Sequence, residues 1–265
     1  MLLVPVVLGL LHPTLLSTAD RDDVSSTSEG LFVSKYSVFR MRIERNFQLK
    51  TEPNRKRIAS VIQRAINEAN PKHEGLSVYD INQLTREVVT TSQCYGIDPV
   101  VYTGLIWRES NFKQKAVSER NARGLTQMTS RGIEEVLDRL SPVSRRRLGH
   151  LRSLVKKCSP NFLARVPRKL SADTLAAWRN SMTFSRKDSL VMGALLLKLN
   201  LAQAHVQRLK PNDLETYRTA LENYNGDPLM KVQFATDVLQ LAKRMIALPE
   251  VAINDSKFLS QIRGL

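Results

Sequence analysis

Cysteine is nearly absent, with two in 265 residues. That excludes a disulfide framework and a four-cysteine zinc site. His12, His73, His150 and His205 are scattered without ligand-like spacing, so no metal motif stands out and no cofactor is expected. Long apolar runs are also missing. Met1 to Leu16 carries no charged side chain, but it falls short of the roughly 20 apolar residues that a membrane-spanning helix needs. Acidic residues are scarce, 25 against 40 basic ones, giving a net charge of +15. A balance that basic implies an anionic partner: nucleic acid, a phospholipid surface or an acidic polymer.

What is present reads as globular. Hydrophobic residues make up 42% and charged residues 25%, enough for a core in one domain of ordinary size, or one domain with a short appendage. The charge is unevenly placed. Residues 141–187 hold twelve basic side chains (Arg145, Arg146, Arg147, Arg152, Lys156, Lys157, Arg165, Arg168, Lys169, Arg179, Arg186 and Lys187) and a single acid, Asp173. The rest of the chain is close to neutral.

Met1 to Leu16 fits the apolar region of a secretory signal, and Ser17-Thr18-Ala19 places small residues at a cleavage point. No basic residue precedes the run, so a buried amino-terminal segment or a mis-assigned start is the alternative. Residues 1–19 are thus expected to be a signal peptide and 20–35 a linker rich in Ser, Asp and Thr. No cysteine follows the apolar run, which argues against a lipid anchor.

Further on, Met41 and Ile43 alternate with charged residues in a short, ambiguous strand-like pattern. From Asn54 the period is helical, with Ile58, Val61, Ile62, Ala65, Ile66 and Ala69 on one face and Pro71 as the stop. Ser77 or Asp80 can cap the next helix, and Asp98-Pro99 starts another. Asp188 and Asp213 are expected to cap later helices, and Pro228 to open the last, with Val232, Ala235, Val238, Leu239, Ala242 and Met245 as its stripe. There is no internal repeat and no run of strands, so the expected class is mostly α. The expected divisions are an extension at 36–76, partly helical, a main domain at 77–248 and a tail at 249–265.

Glu109 is the unusual residue of its helix. It follows Leu105 by four and Ile106 by three, so it projects from an apolar stripe. A carboxyl there loses water, its pKa rises, and it stays protonated as a general acid must. A solvated helix end is the plainer alternative. The residues downstream change the weighing: Glu109-Ser110, then Ala116-Val117-Ser118, then Gly124-Leu125-Thr126-Gln127, then Leu190-Val191-Met192-Gly193-Ala194, then Asn223-Tyr224-Asn225-Gly226. With the Tyr95-Gly96-Ile97-Asp98-Pro99 lead-in, this series resembles the lytic transglycosylases of the goose-type-lysozyme-like superfamily over about residues 80–245, the basic stretch excepted.

The resemblance implies a lysozyme-like helical domain acting on peptidoglycan in the periplasm or outside the cell. It implies Glu109 as the sole catalytic acid and base, Ser110 and Ser118 as polar positioners, Gln127 lining the sugar groove, Tyr224 offering a hydroxyl near the scissile bond and Asn225 holding its loop. It also implies a substrate-assisted reaction that closes a 1,6-anhydro ring on N-acetylmuramic acid, without metal or cofactor. Thr126 replaces the usual methionine, Gly226-Asp227 stands where Ala-Gly is usual, and Arg120 adds charge after Ser118. In an exported protein Cys94 and Cys158 are free to pair; free buried cysteines are the alternative.

Leu148, Leu151, Leu154 and Val155 have helical spacing, so residues 141–187 are expected to be a helical insertion that either holds the anionic sacculus or is merely solvated. An assembly partner in a cell-envelope machine is conceivable. Two rivals remain: a hydrolytic lysozyme with Asp227 holding water, and a non-catalytic basic binding protein. Against the second, Phe162, Trp178 and Phe184 are the only aromatics of the basic stretch, no nucleic-acid fold signature is visible, and no dedicated nucleic acid is expected.

Overall fold

The computed structural model describes residues 52–206 and 214–247, apart from His73, Gly75, Arg145 and Arg147. The leader at 1–19, the linker at 20–35, the strand-like stretch around Met41, the cap expected of Asp213 and the tail at 249–265 lie outside the described residues. Among the described residues the regular structure is ten α-helices, with isolated β-bridges confined to one loop.

The first helix, α1 (Glu52–Ala69), buries Ile58, Ile62, Ala65 and Ile66, the face its period predicts. Each of these isoleucines contributes about 1.5–3 kcal/mol when fully withdrawn from water. It packs on α2 (Val78–Tyr95), α3 (Pro99–Ser110) and α10 (Lys231–Ala247). This segment of the expected extension therefore supplies core to the body. Ser77 and Asp80 start α2 together: the Ser77 hydroxyl accepts from the Asp80 N–H at 3.1 Å, and the Asp80 carboxylate accepts from the Ser77 N–H at 3.1 Å.

Asp98 starts α3, accepting from the Val100 and Val101 N–H groups at 2.8 and 3.1 Å. Every residue from Pro99 to Trp107 is buried, so α3 is wrapped on all sides and not only along the stripe that the sequence suggested. The Tyr102 hydroxyl donates to the Leu190 carbonyl at 2.5 Å, fixing α3 to α8 (Arg186–Val206).

The helices α4 (Ser130–Leu140) and α8 flank the basic stretch, which is helical as its leucine spacing predicts: α5 (Gly149–Cys158), α6 (Pro160–Ala164) and α7 (Ala172–Phe184). A Cys94–Cys158 disulfide joins α5 to the last turn of α2, across 64 residues of chain. Replacing both cysteines by alanine should lower stability by about 2–4 kcal/mol, the usual scale for opening a loop that long. Urea unfolding with and without reductant checks this; equal midpoints would contradict it.

Some sequence expectations change. Ser185, and not Asp188, caps α8: its hydroxyl accepts from the Asp188 N–H at 3.2 Å. The Asp188 carboxylate is engaged by Arg165 and Ser181. Burial, the largest single influence, works to raise its pKa, and the contacts from Arg165, Ser181 and Ser185 together outweigh it and hold the carboxyl below the usual range. Residues 228–230 form a turn, so the last helix begins at Lys231 rather than at Pro228. Val232 is exposed, while Phe234 takes the inward place.

Much of the basic charge is spent internally. Arg146 reaches Glu135 at 3.0 Å and Asp138 at 3.6 Å, Arg152 donates to the Leu140 carbonyl at 2.6 Å, and Arg186 bridges Asp80 at 2.7 Å and Glu87 at 3.5 Å. Lys156, Lys157, Arg168, Lys169 and Lys187 remain on the surface.

Candidate active site

The α3 helix delivers Glu109 in its last turn, after a buried run and beside exposed Arg108. Among the described residues none hydrogen-bonds its carboxyl. Arg108 is held elsewhere, donating from Nε to Asp237 at 2.9 Å with its guanidinium 5.9 Å from the Phe234 ring centre. Burial therefore dominates and pushes the Glu109 pKa up to about 8, against a weaker pull from Arg108. The group is mostly protonated at neutral pH and has both oxygens available.

It opens into a cleft of about 370 Å³. Ser118, Gln127, Tyr224 and Asn225, all predicted from sequence, line this cleft with Glu109. Ser110 does not: it is buried, and its hydroxyl donates back to the Ile106 carbonyl at 3.1 Å. A serine at a helix end with that alternative has no hydroxyl hydrogen left for a ligand.

The loop from Asn111 to Thr129 forms one wall. Bridges pair Arg123 with Val117 and with Met128. Gln127 sits at φ +45°, a left-handed conformation uncommon for a residue with a side chain. Its side-chain amide donates to the Ala116 and Gly124 carbonyls at 3.1 and 2.9 Å, holding the loop closed. Both amide hydrogens being engaged, only its side-chain carbonyl is left to accept from a ligand. Ser118 pins its own turn, its hydroxyl accepting from the Ala122 N–H at 3.0 Å.

Gly124 is required by packing. Its φ is +79°, and a Cβ there would stand 2.2 Å from the Met182 carbonyl oxygen of α7. The basic insertion therefore packs directly on the loop that carries Gln127. Thr126, which stands in place of the usual methionine, is also fixed by packing. It is buried, its hydroxyl donates to the Ser189 carbonyl at 2.8 Å, and it fills the space where a Cβ on Gly193 would clash at 2.6 Å.

The opposite wall comes from α9 (Leu214–Asn225) and the turn after it. The Tyr224 hydroxyl donates to the Thr126 carbonyl at 2.9 Å, crossing from one wall to the other. Burial drives its pKa well above the ordinary tyrosine value, with the Glu109 charge adding to the rise. Phe234 stacks on Tyr224 with ring planes 3° apart and centroids 6.4 Å apart. Sequence reasoning missed Phe234, although it precedes Val238 by four residues on the same helix face. The Asn225 side chain accepts from the Asp227 N–H at 3.1 Å and sets the turn.

Asp227 and Arg120, two departures from the family pattern noted above, are partners: Arg120 donates from Nη1 to Asp227 Oδ2 at 2.6 Å. The other Asp227 oxygen accepts from the Leu229 N–H at 3.0 Å. The Arg120 contact holds the Asp227 carboxyl below the usual range. The cleft thus has one neutral carboxyl, Glu109, and one firmly ionised and occupied carboxylate, Asp227.

The family model for the transglycosylase SLT domain matches residues 88–149, which include Glu109, Ser118 and Gln127 and end before Tyr224. No curated protein and no solved structure matches the chain. The match supports a lytic-transglycosylase domain of the lysozyme-like kind, and the described residues are mostly α-helical. Domains of this family act on peptidoglycan in the cell envelope. Among the described residues no helix is long and apolar enough to cross a membrane.

Proposed function

We propose that the protein cleaves the β-1,4 bond between N-acetylmuramic acid and N-acetylglucosamine by transglycosylation, with Glu109 as the single acid and base. The observation that carries this is the half-buried Glu109 carboxyl, with no hydrogen-bond partner among the described residues, in a cleft whose one other lining carboxylate among them is already paired. Glu109 gives its proton to the departing glycosidic oxygen as the C1–O bond breaks. The substrate's acetamido group stabilises the cationic sugar. The Glu109 carboxylate then accepts the proton of the C6 hydroxyl as that oxygen bonds to C1 and closes the 1,6-anhydro ring. Atoms balance without water.

A hydrolase would need a group to hold and activate water, and inverting glycosidases place a second carboxylate for that purpose. Asp227 is a poor candidate, since both oxygens are engaged and its basicity is reduced. Ser118, Gln127, Tyr224 and Asn225 are proposed to hold the glycan. Turnover of a soluble glycan fragment, wild type beside Glu109→Gln, tests the site.

Export to the cell envelope is proposed on the signal-like leader and supported by the disulfide, which persists in oxidising compartments. The surface lysines and arginines of residues 141–187 are proposed to attract the anionic sacculus. Neutralising Lys156, Lys157, Arg168, Lys169 and Lys187 should weaken pelleting with sacculi at low salt and leave turnover of a short soluble fragment unchanged. The difference should fade above physiological salt, where the screening length is about 8 Å or less. Equal pelleting at low salt would make the insertion a solvated structural element.

A further inference from the structure

We propose that Arg120 is a specificity residue of the cleft, held by Asp227 in the empty protein and exchanged onto a carboxylate of the substrate's stem peptide when a peptide-bearing glycan binds. This rests on the glycan-cleaving function proposed above and names a further substrate group that the cleft recognises.

The two partners are built differently. Asp227 is the fixed half: its side chain is 17% exposed, Leu229 N–H holds one oxygen, and Asn225 holds its backbone. Arg120 is the free half. Its side chain is 81% exposed, and it sits in the short turn closed by Ser118. Both line the cleft that contains Glu109, from walls 107 residues apart in the chain.

An ion pair so exposed stabilises little, because water and salt screen it and a long side chain must be ordered. Exchanging one carboxylate for another is therefore nearly neutral in energy. A guanidinium has five N–H donors in a planar fork, so Arg120 has donors to spare and a geometry that matches a carboxylate. The peptide stems of the wall supply carboxylates beside the glycan, where the muramic lactyl carboxyl is itself tied up in the amide bond to the peptide. Asp227 in turn keeps the guanidinium at the cleft and makes it less available to unrelated anions.

The test uses the Glu109→Gln protein, so that binding is read without cleavage. Titration calorimetry compares a short glycan oligomer carrying native stem peptides with the same oligomer after its carboxylates are converted to methylamides. The native oligomer should bind about three- to fivefold more tightly at low salt, the scale of an exposed ion pair. Adding Arg120→Ala should erase that preference by weakening only the native oligomer. Adding Asp227→Asn, which keeps an acceptor for Leu229, should widen it by releasing Arg120. An Arg120→Ala effect that is equal on both oligomers, or absent from both, would overturn the proposal while leaving the glycan site intact. Failure of the Glu109→Gln protein to bind either oligomer would remove the glycan site itself.

Discussion

Glu109→Gln should fold, become more stable at neutral pH, and lose wall-cleaving activity by about 10²–10⁴-fold, the usual contribution of a general acid. The two effects share one cause. Burial moves the Glu109 pKa from an ordinary 4.5 to about 8. Below pH 4.5 the group is protonated in both folded and unfolded chains, and its ionisation contributes nothing to stability. Between 4.5 and 8 the unfolded chain releases the proton while the folded one keeps it, so folding stability falls as pH rises. Above 8 the penalty is complete, at most about 5 kcal/mol from a shift of this size. Glutamine cannot ionise and escapes the penalty. The variant's gain should be near zero at pH 4, about 3 kcal/mol at pH 7, and constant above pH 8. Urea unfolding across that range measures it. An unchanged gap at all pH values, or a variant that cleaves normally, would mean that Glu109 is an ordinary solvated helix end.

The second large effect is on the product. Glu109 is the only unpaired carboxyl lining the cleft among the described residues, so in the proposed mechanism the nucleophile that reaches the sugar cation is the substrate's own C6 hydroxyl. Wall fragments should therefore leave with anhydro ends, in nearly every cleavage event. Asp227→Asn should leave that outcome untouched, because the proposed mechanism uses no water and gives Asp227 no catalytic step. Were the enzyme a hydrolase with Asp227 holding its water, the same substitution would abolish cleavage, or at least the reducing-end product.

Local chemistry made the helices legible. Asp98-Pro99 and Ser77 with Asp80 start helices because capping needs only neighbours within three residues, and the α1 face follows from spacing alone. Glu109 was legible because it stands out among apolar neighbours. What stayed hidden depends on distant partners. Asp188 looked like a cap until Arg165, 23 residues earlier, claimed its carboxylate. Arg120 and Asp227 looked like unrelated departures from the family pattern, and only the fold brings them to 2.6 Å. Ser110 was assigned to the site because its motif sits beside Glu109, yet the helix backbone offered a nearer acceptor. The basic insertion read as a single charged patch, whereas Arg146, Arg152 and Arg186 are consumed by acids and carbonyls outside it.

The most direct measurement is mass analysis of the fragments released from purified sacculi by the wild-type protein, with Glu109→Gln as the blank. The account predicts fragments ending in 1,6-anhydro-N-acetylmuramic acid, one water lighter than hydrolytic products, and about a hundredfold less or lower still from the variant. Fragments with free reducing ends, or anhydro fragments that persist undiminished with Glu109→Gln, would contradict it.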